Sequence, residues 1–165
     1  MKITVKAPAQ CAEQELDEFQ RLVEMGREVI SRGLRGRIRG ASLLAFGYVG
    51  DSGVGIAALK NPSSSYKKNV FEKSGLIHRS YEFEKELGWV YIEPKWRKKG
   101  FSSKLVKTLL SHVKDFNVFA TSRTDNQPMH KVLKKNGFFE AGNPFISDQR
   151  HKLILFLWDS IAMRA

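Results

Sequence analysis

One run of the chain is arranged to hold an anion. From Leu87 to Leu105 the order is Leu-Gly-Trp-Val-Tyr-Ile-Glu-Pro-Lys-Trp-Arg-Lys-Lys-Gly-Phe-Ser-Ser-Lys-Leu. An apolar strand leads into a basic turn with one glycine and two serines, and a helix begins there. A helix N-terminus offers N–H groups without intrahelical partners and a partial positive charge. Glycine in the turn lets the backbone approach a phosphate closely, which is how pyrophosphate is bound at such turns. Arg97, Lys98 and Lys99 add charge-assisted contacts. The wider segment Pro94 to Lys114 also carries Lys95, Lys104, Lys107 and Lys114, with no acid. A second acid-free segment, Ser31 to Gly40, carries Arg32, Arg35, Arg37 and Arg39. It reads either as a solvated face or as a nucleic-acid contact.

Other signals fail on spacing. Gly50-Asp51-Ser52-Gly53 is similar to the sequence around a serine-protease nucleophile, but that site needs an upstream His and Asp. All four histidines, His78, His112, His130 and His151, lie downstream. A hairpin turn explains the run. The histidines have no ligand spacing with Cys11 or with carboxylates, so no metal is predicted. His112 and His130 read as helix-surface residues, and Cys11 as a small buried residue rather than a nucleophile. Trp89, Trp96 and Trp158 are scattered, which suits packing better than a base-stacking platform.

The elements that position the turn follow from periodicity. Met1 to Ala7 alternates as a half-buried strand. Glu13 to about Ser31 has helical spacing, with Gly33 as its stop. Ser42 to Val49 and Val54 to Lys60 are strands joined by the hairpin turn. Asn61 to Glu86 is too long for a plain connection, so it is a lid or contains a short helix near Tyr66 to Ser74. Leu87 to Ile92 is a strand and Ser102 to Lys114 an amphipathic helix. Val118 to Thr121 is a short strand and Pro128 to Asn136 a short helix opened by proline. Phe138 to Glu140 and Leu153 to Trp158 complete the strands.

Composition bounds the class. The chain has 165 residues, 42% hydrophobic and 27% charged, with a net charge of +11. Those values suit one globular domain over residues 1–165 and exclude a collagen-like or disordered chain. No apolar run reaches the roughly 20 residues that span a bilayer, and the N-terminus shows no secretory signal. A single cysteine excludes an internal disulfide framework and fits a reducing, cytoplasmic setting.

Arg97-x-x-Gly100-x-Ser102 resembles the pyrophosphate signature of the GNAT superfamily of CoA-dependent N-acyltransferases, with Ser102 where the family has Gly or Ala. Asp125-Asn126 through Gly137-Phe138 resembles the family's later helix, and the order of elements matches. The resemblance implies an α/β (α+β) domain with a mixed, mostly antiparallel central sheet. That sheet is splayed at two central parallel strands, Leu87 to Ile92 and Val118 to Thr121, and flanked by about four helices. It implies acetyl-CoA, or another acyl-CoA, as co-substrate without a metal. Pantetheine pairs with backbone near Tyr91 and Ile92. Pyrophosphate sits on the amides of Lys98, Lys99, Gly100, Phe101, Ser102 and Ser103 beside Arg97, and Asn126 contacts the cofactor arm. A neutral amine attacks the thioester, a backbone N–H stabilises the oxyanion, and a base takes the amine's proton. Glu86 stands where the family often puts that carboxylate, with Glu84 as second candidate. The family's usual tyrosine, a proton donor to the leaving thiolate, is Leu133 here. Tyr91 and Tyr66 are the conceivable substitutes. The expected partners are acyl-CoA and an amine-bearing acceptor, with no membrane, in a monomer or homodimer. A catalytically weak scaffold that binds nucleic acid through its basic surface is the alternative.

Overall fold

A computed structural model describes residues 1–162. Seven strands are β1 (Lys2–Lys6), β2 (Leu43–Val49), β3 (Ser52–Lys60), β4 (Phe83–Ile92), β5 (Asn117–Arg123), β6 (Phe139–Ile146) and β7 (Lys152–Trp158). Five α-helices are α1 (Glu13–Met25), α2 (Leu34–Arg39), α3 (Ser64–Lys73), α4 (Phe101–Leu110) and α5 (Gln127–Lys135). Hydrogen-bonded strand neighbours follow the order β1-β2-β3-β4-β5-β7-β6. The β1–β2, β2–β3, β5–β7 and β6–β7 pairs are antiparallel. The β4–β5 pair is parallel, from Phe83 opposite Asn117 to Glu86 opposite Phe119. Close contacts group the chain into two compact units: residues 1–60 with 87–112, and residues 61–86 with 113–162.

The first unit is built on strands β2 and β3, whose two faces differ in residue size. Leu44, Phe46, Ile56 and Ala58 face α1 and α2, where Leu16, Phe19, Leu22, Leu34 and Ile38 complete a buried cluster. Ala45, Gly47, Gly55 and Ala57 alternate with them onto the other face. Their small size lets α4 approach closely: a Cβ on Gly55 would strike the Ile92 side chain and lie 3.3 Å from Leu105 Cδ1. The expected helix from Glu13 to Ser31 stops at Met25 instead. Arg27 turns left-handed (φ +56°), and the chain re-enters a short helix at α2. The apolar spacing of Val29 and Ile30 continued the helical period across a break that backbone conformation imposes.

The second unit packs α3 on one face of β4's first residues, β5 and β7. Phe71 of α3 is fully buried, its ring 5.6 Å from Phe83 and 5.4 Å from Phe119. Truncating it to alanine would cost about 3–5 kcal/mol. On the opposite face His130 of α5 stacks on Phe156 at 5.0 Å. His130 is only 6% exposed, which corrects its reading as a surface residue. Its Nε2 donates to the Arg123 carbonyl at 2.9 Å, and that bond is why a polar ring is tolerated inside. Strand β6 runs on to Ile146 rather than stopping at Glu140. A register shift between Ala141 and Phe145 breaks the alternation that would have made it visible in sequence.

Candidate functional site

The basic turn lies in the first unit. After β4, a 3-10 turn at Pro94–Trp96 brings the chain to Arg97, and α4 starts at Phe101 with Gly100 as its N-cap. Lys98 and Gly100 are both left-handed, at φ +60° and +75°. Left-handed residues in such a turn direct successive N–H groups toward one point, the geometry of an anion nest. No side chain caps α4. A Cβ at Gly100 would meet nothing within 4 Å; glycine is there for its backbone conformation.

Side chains hold this turn in shape. Arg97 Nε donates to the Ile92 carbonyl at 2.9 Å, and its guanidinium lies 5.5 Å from the centre of the Tyr91 ring. Trp96 and Phe101 stack at 6.2 Å. The Lys99 and Lys95 ammonium groups sit 4.8 and 5.7 Å from the Trp96 ring, and Lys104 sits 5.9 Å from Phe101. The aromatic pair thereby keeps three cations beside exposed backbone amides. The turn fits a pyrophosphate: a helix start that no side chain caps, two left-handed residues and adjacent positive charge.

Strand β4 carries a second irregularity. Trp89 is left-handed (φ +51°), which is costly for a bulky side chain. Lys60 Nζ lies 5.1 Å above its ring, and Phe19 meets it edge-on at 6.1 Å. A residue in this conformation breaks the alternation of peptide directions along the strand.

The second unit holds Glu86, which is 4% exposed, whereas Glu84 is exposed. A register shift between Phe83 and Lys85 separates them: it puts Glu86, like Phe83, on the side covered by α3. Glu86 Oε1 accepts from the Tyr66 hydroxyl at 3.0 Å, and the Thr121 hydroxyl also bonds that phenol. The Tyr66 ring is 40% exposed, but its hydroxyl end is turned inward. Burial, and then the Glu86 charge, push the phenol well above its usual range. It therefore stays protonated and serves Glu86 as a donor. Thr121 is the member that sequence reasoning missed. Its signal was the strand alternation Phe119, Thr121, Arg123, which runs from core to polar on one face.

The remaining candidates are placed as follows. Tyr91 and Ile92 close β4 in the first unit, Tyr91 half-buried against the α1 cluster and Ile92 buried. Asn126, in the second unit, is the N-cap of α5, and its Oδ1 accepts from the Met129 amide at 3.2 Å. Leu133, at the position where the family has a tyrosine, is fully buried core. The arginines of residues 32–39 are largely spoken for: Arg39 pairs with Glu13 at 2.8 Å, Arg35 with Asp17, and Arg37 bonds the Ile30 carbonyl. Among the described residues no helix is long and apolar enough to cross a membrane. None of their His, Cys, Asp and Glu side chains form a group of three placed to hold a metal.

Comparison with known proteins agrees with this geometry. Residues 31–138 match the acetyltransferase (GNAT) family. An acyl-CoA N-acyltransferase from Pseudomonas aeruginosa superposes with a TM-score of 0.69 at 14% identity, covering 96% of this chain and 100% of that one. A GNAT-family acetyltransferase from Streptococcus agalactiae superposes with a TM-score of 0.70 at 14% identity, covering 94% of each chain. A search of curated proteins finds no match.

Proposed function

Because the chain belongs to the GNAT acetyltransferase family, we propose that it transfers an acyl group, acetyl in the first instance, from acyl-CoA to a primary amine. The observation that carries this reading is the turn at Arg97 to Ser103. Its left-handed Lys98 and Gly100 open the start of α4 to a diphosphate between cations held by Trp96 and Phe101. Acyl-CoA supplies an activated carbonyl, whose C–S bond is exchanged for a C–N bond while the amine gives up one proton.

The chain's own groups do the rest. The turn holds the diphosphate, and the backbone of Tyr91 and Ile92 orients the pantetheine arm. The irregular peptide direction at Trp89 supplies a backbone N–H to the carbonyl oxygen. Glu86 receives the amine's proton, directly or through one water. Tyr66, itself bonded by Thr121, is the donor that holds its carboxylate in one orientation, the hydroxyl 3.0 Å from Oε1. A free CoA thiolate takes its proton from water, so Leu133 leaves no gap in the reaction.

The test is calorimetric titration of the protein with acetyl-CoA, followed by thiol release with a panel of primary amines. Micromolar binding and amine-dependent thiol release are the expected results. Absence of both would end this reading.

A further inference from the structure

Beyond the Tyr66–Glu86–Thr121 group, β5 continues for two residues to Arg123, and a cavity of about 240 Å3 opens there. It is lined by Arg123, Thr124, Asp125, Arg150, His151 and Lys152. Three are cations and one is a carboxylate, so the cavity is electropositive.

The frame around this cavity is fixed by hydrogen bonds. Arg123 pairs with Leu153 in the β5–β7 ladder, and the Thr124 amide donates to the Lys152 carbonyl at 3.0 Å. Ser147 closes the β6–β7 turn: its amide donates to the His151 carbonyl, and its carbonyl accepts from the Arg150 amide, both at 2.9 Å. Its Oγ accepts from the His151 amide at 3.1 Å. Asp148 in the same turn pairs with Lys73 at 2.7 Å. The Arg123 guanidinium reaches His151 Nε2 at 3.1 Å. A guanidinium only donates, so Nε2 accepts and the ring carries its proton on Nδ1.

Arg150 is the informative residue. It is left-handed at φ +63°, a turn position where glycine or asparagine would cost less. The fold bears that cost with a long cation whose neighbours are Arg123 and Lys152, and cations gathered around a cavity are stable when an anion sits among them.

Position along β5 gives the cavity a meaning. Residues two apart on a strand share a face, so Thr121 and Arg123 lie on the face that α3 covers, about 7 Å apart along the strand. We propose that this cavity is an oxyanion subsite, which takes the carboxylate or phosphate of an acceptor whose amine is presented to Glu86. The register sets Glu86 opposite Phe119, four residues before Arg123 and so about 13 Å away along the strand; the acceptor class is then an amine whose anionic group lies several bonds from its nitrogen, such as an ω-amino acid. This inference rests on the acyl-transfer reading above.

The experiment sets ω-amino acids against their carboxamides as acceptors, with thiol release from acetyl-CoA as the readout. The wild-type protein should favour the acids at least tenfold in kcat/KM. Arg150→Gly, which removes the side chain where glycine fits the backbone, should bring that ratio close to one through the KM of the acids. Arg150→Lys should restore part of it. A wild-type ratio near one, or a ratio untouched by Arg150→Gly, overturns the proposal. Thiol release with no amine at all would fail the acyl-transfer reading, and the cavity is then judged separately. Inorganic phosphate is titrated while the His151 ring is followed by NMR. A saturable shift that Arg150→Gly abolishes keeps the oxyanion site and assigns it to a free anion; no saturable shift overturns it.

Discussion

The basic turn and the Tyr66–Glu86–Thr121 group are built on opposite plans. The turn is local: its donors, its two left-handed residues and its cations come from one short stretch, and most of its work is done by backbone. Its residues from Arg97 to Gly100 are exposed. The carboxylate group is assembled from three elements, α3, β4 and β5, and all its work is done by side chains. Its carboxylate is buried, so each member matters through the others. A site for a diphosphate tolerates this openness because the ligand brings its own charge. A proton acceptor needs enclosure, because water would otherwise screen and rearrange it.

That contrast can be broken by substitution. Gly100→Glu should have the largest effect, weakening acetyl-CoA binding at least a hundredfold by calorimetry. It places a carboxylate in the nest and a Cβ at φ +75°. Gly100→Ala carries the same backbone penalty, about 1–2 kcal/mol, without the charge, and should lose far less affinity. Equal losses would mean that the turn acts through its shape alone.

Glu86→Gln should lower kcat by about a hundredfold, within the range for a lost general base, with acetyl-CoA affinity changed less than twofold. A matching loss of affinity would erase the division of labour. Tyr66→Phe should lower kcat by only about threefold to tenfold, the scale of one hydrogen bond to a charged group that is partly replaced by water. A merely structural tyrosine would instead lower the melting temperature and leave kcat unchanged.

The smallest effect concerns the surface of the first unit. Glu15 is held below the usual carboxylate range by Lys6, 2.6 Å away, and by the Ala12 amide. Its folded value is lowered, so its contribution is present above about pH 4.3, the unfolded value, and is lost as the pH falls further. The melting temperature of Glu15→Gln should lie slightly below wild type at pH 7 and converge with it near pH 3.

The same contrast explains what the sequence disclosed. Arg97, Gly100 and Ser102 could be read in one pass because the turn's geometry depends on neighbours in the chain. Glu86 was visible only as a carboxylate near a strand start. Only the family resemblance ranked it above Glu84, since the register shift that buries one and exposes the other arises from pairing with β5. Thr121 showed in the sequence only as one residue of a strand alternation, because Tyr66, the phenol it bonds, is far away in the chain. The strands and helices were legible wherever one face is apolar, as in β3 and α4. They were misplaced where a backbone irregularity interrupts the period, as at Arg27 and within β6. The arginine-rich segment was legible as charge but not as pairing. Its charge is real, but α1 supplies the acids that answer it.

The helix α3 occupies the long segment that sequence length alone would allow to be a lid. It is fastened at both ends. Lys67 donates to the Phe83 carbonyl at 2.9 Å, the Asn143 amide donates to the Ser74 carbonyl at 2.9 Å, and Gly142 sits so close to Ser74 that a Cβ would collide with its carbonyl. With Phe71 buried between these ties, the helix should exchange its amide protons slowly, on the timescale of opening the whole second unit. Turnover would then not wait for a gate. Tyr66 would already be in place when a substrate arrives, and acceptors would be selected by a preformed surface, with little dependence of rate on solvent viscosity.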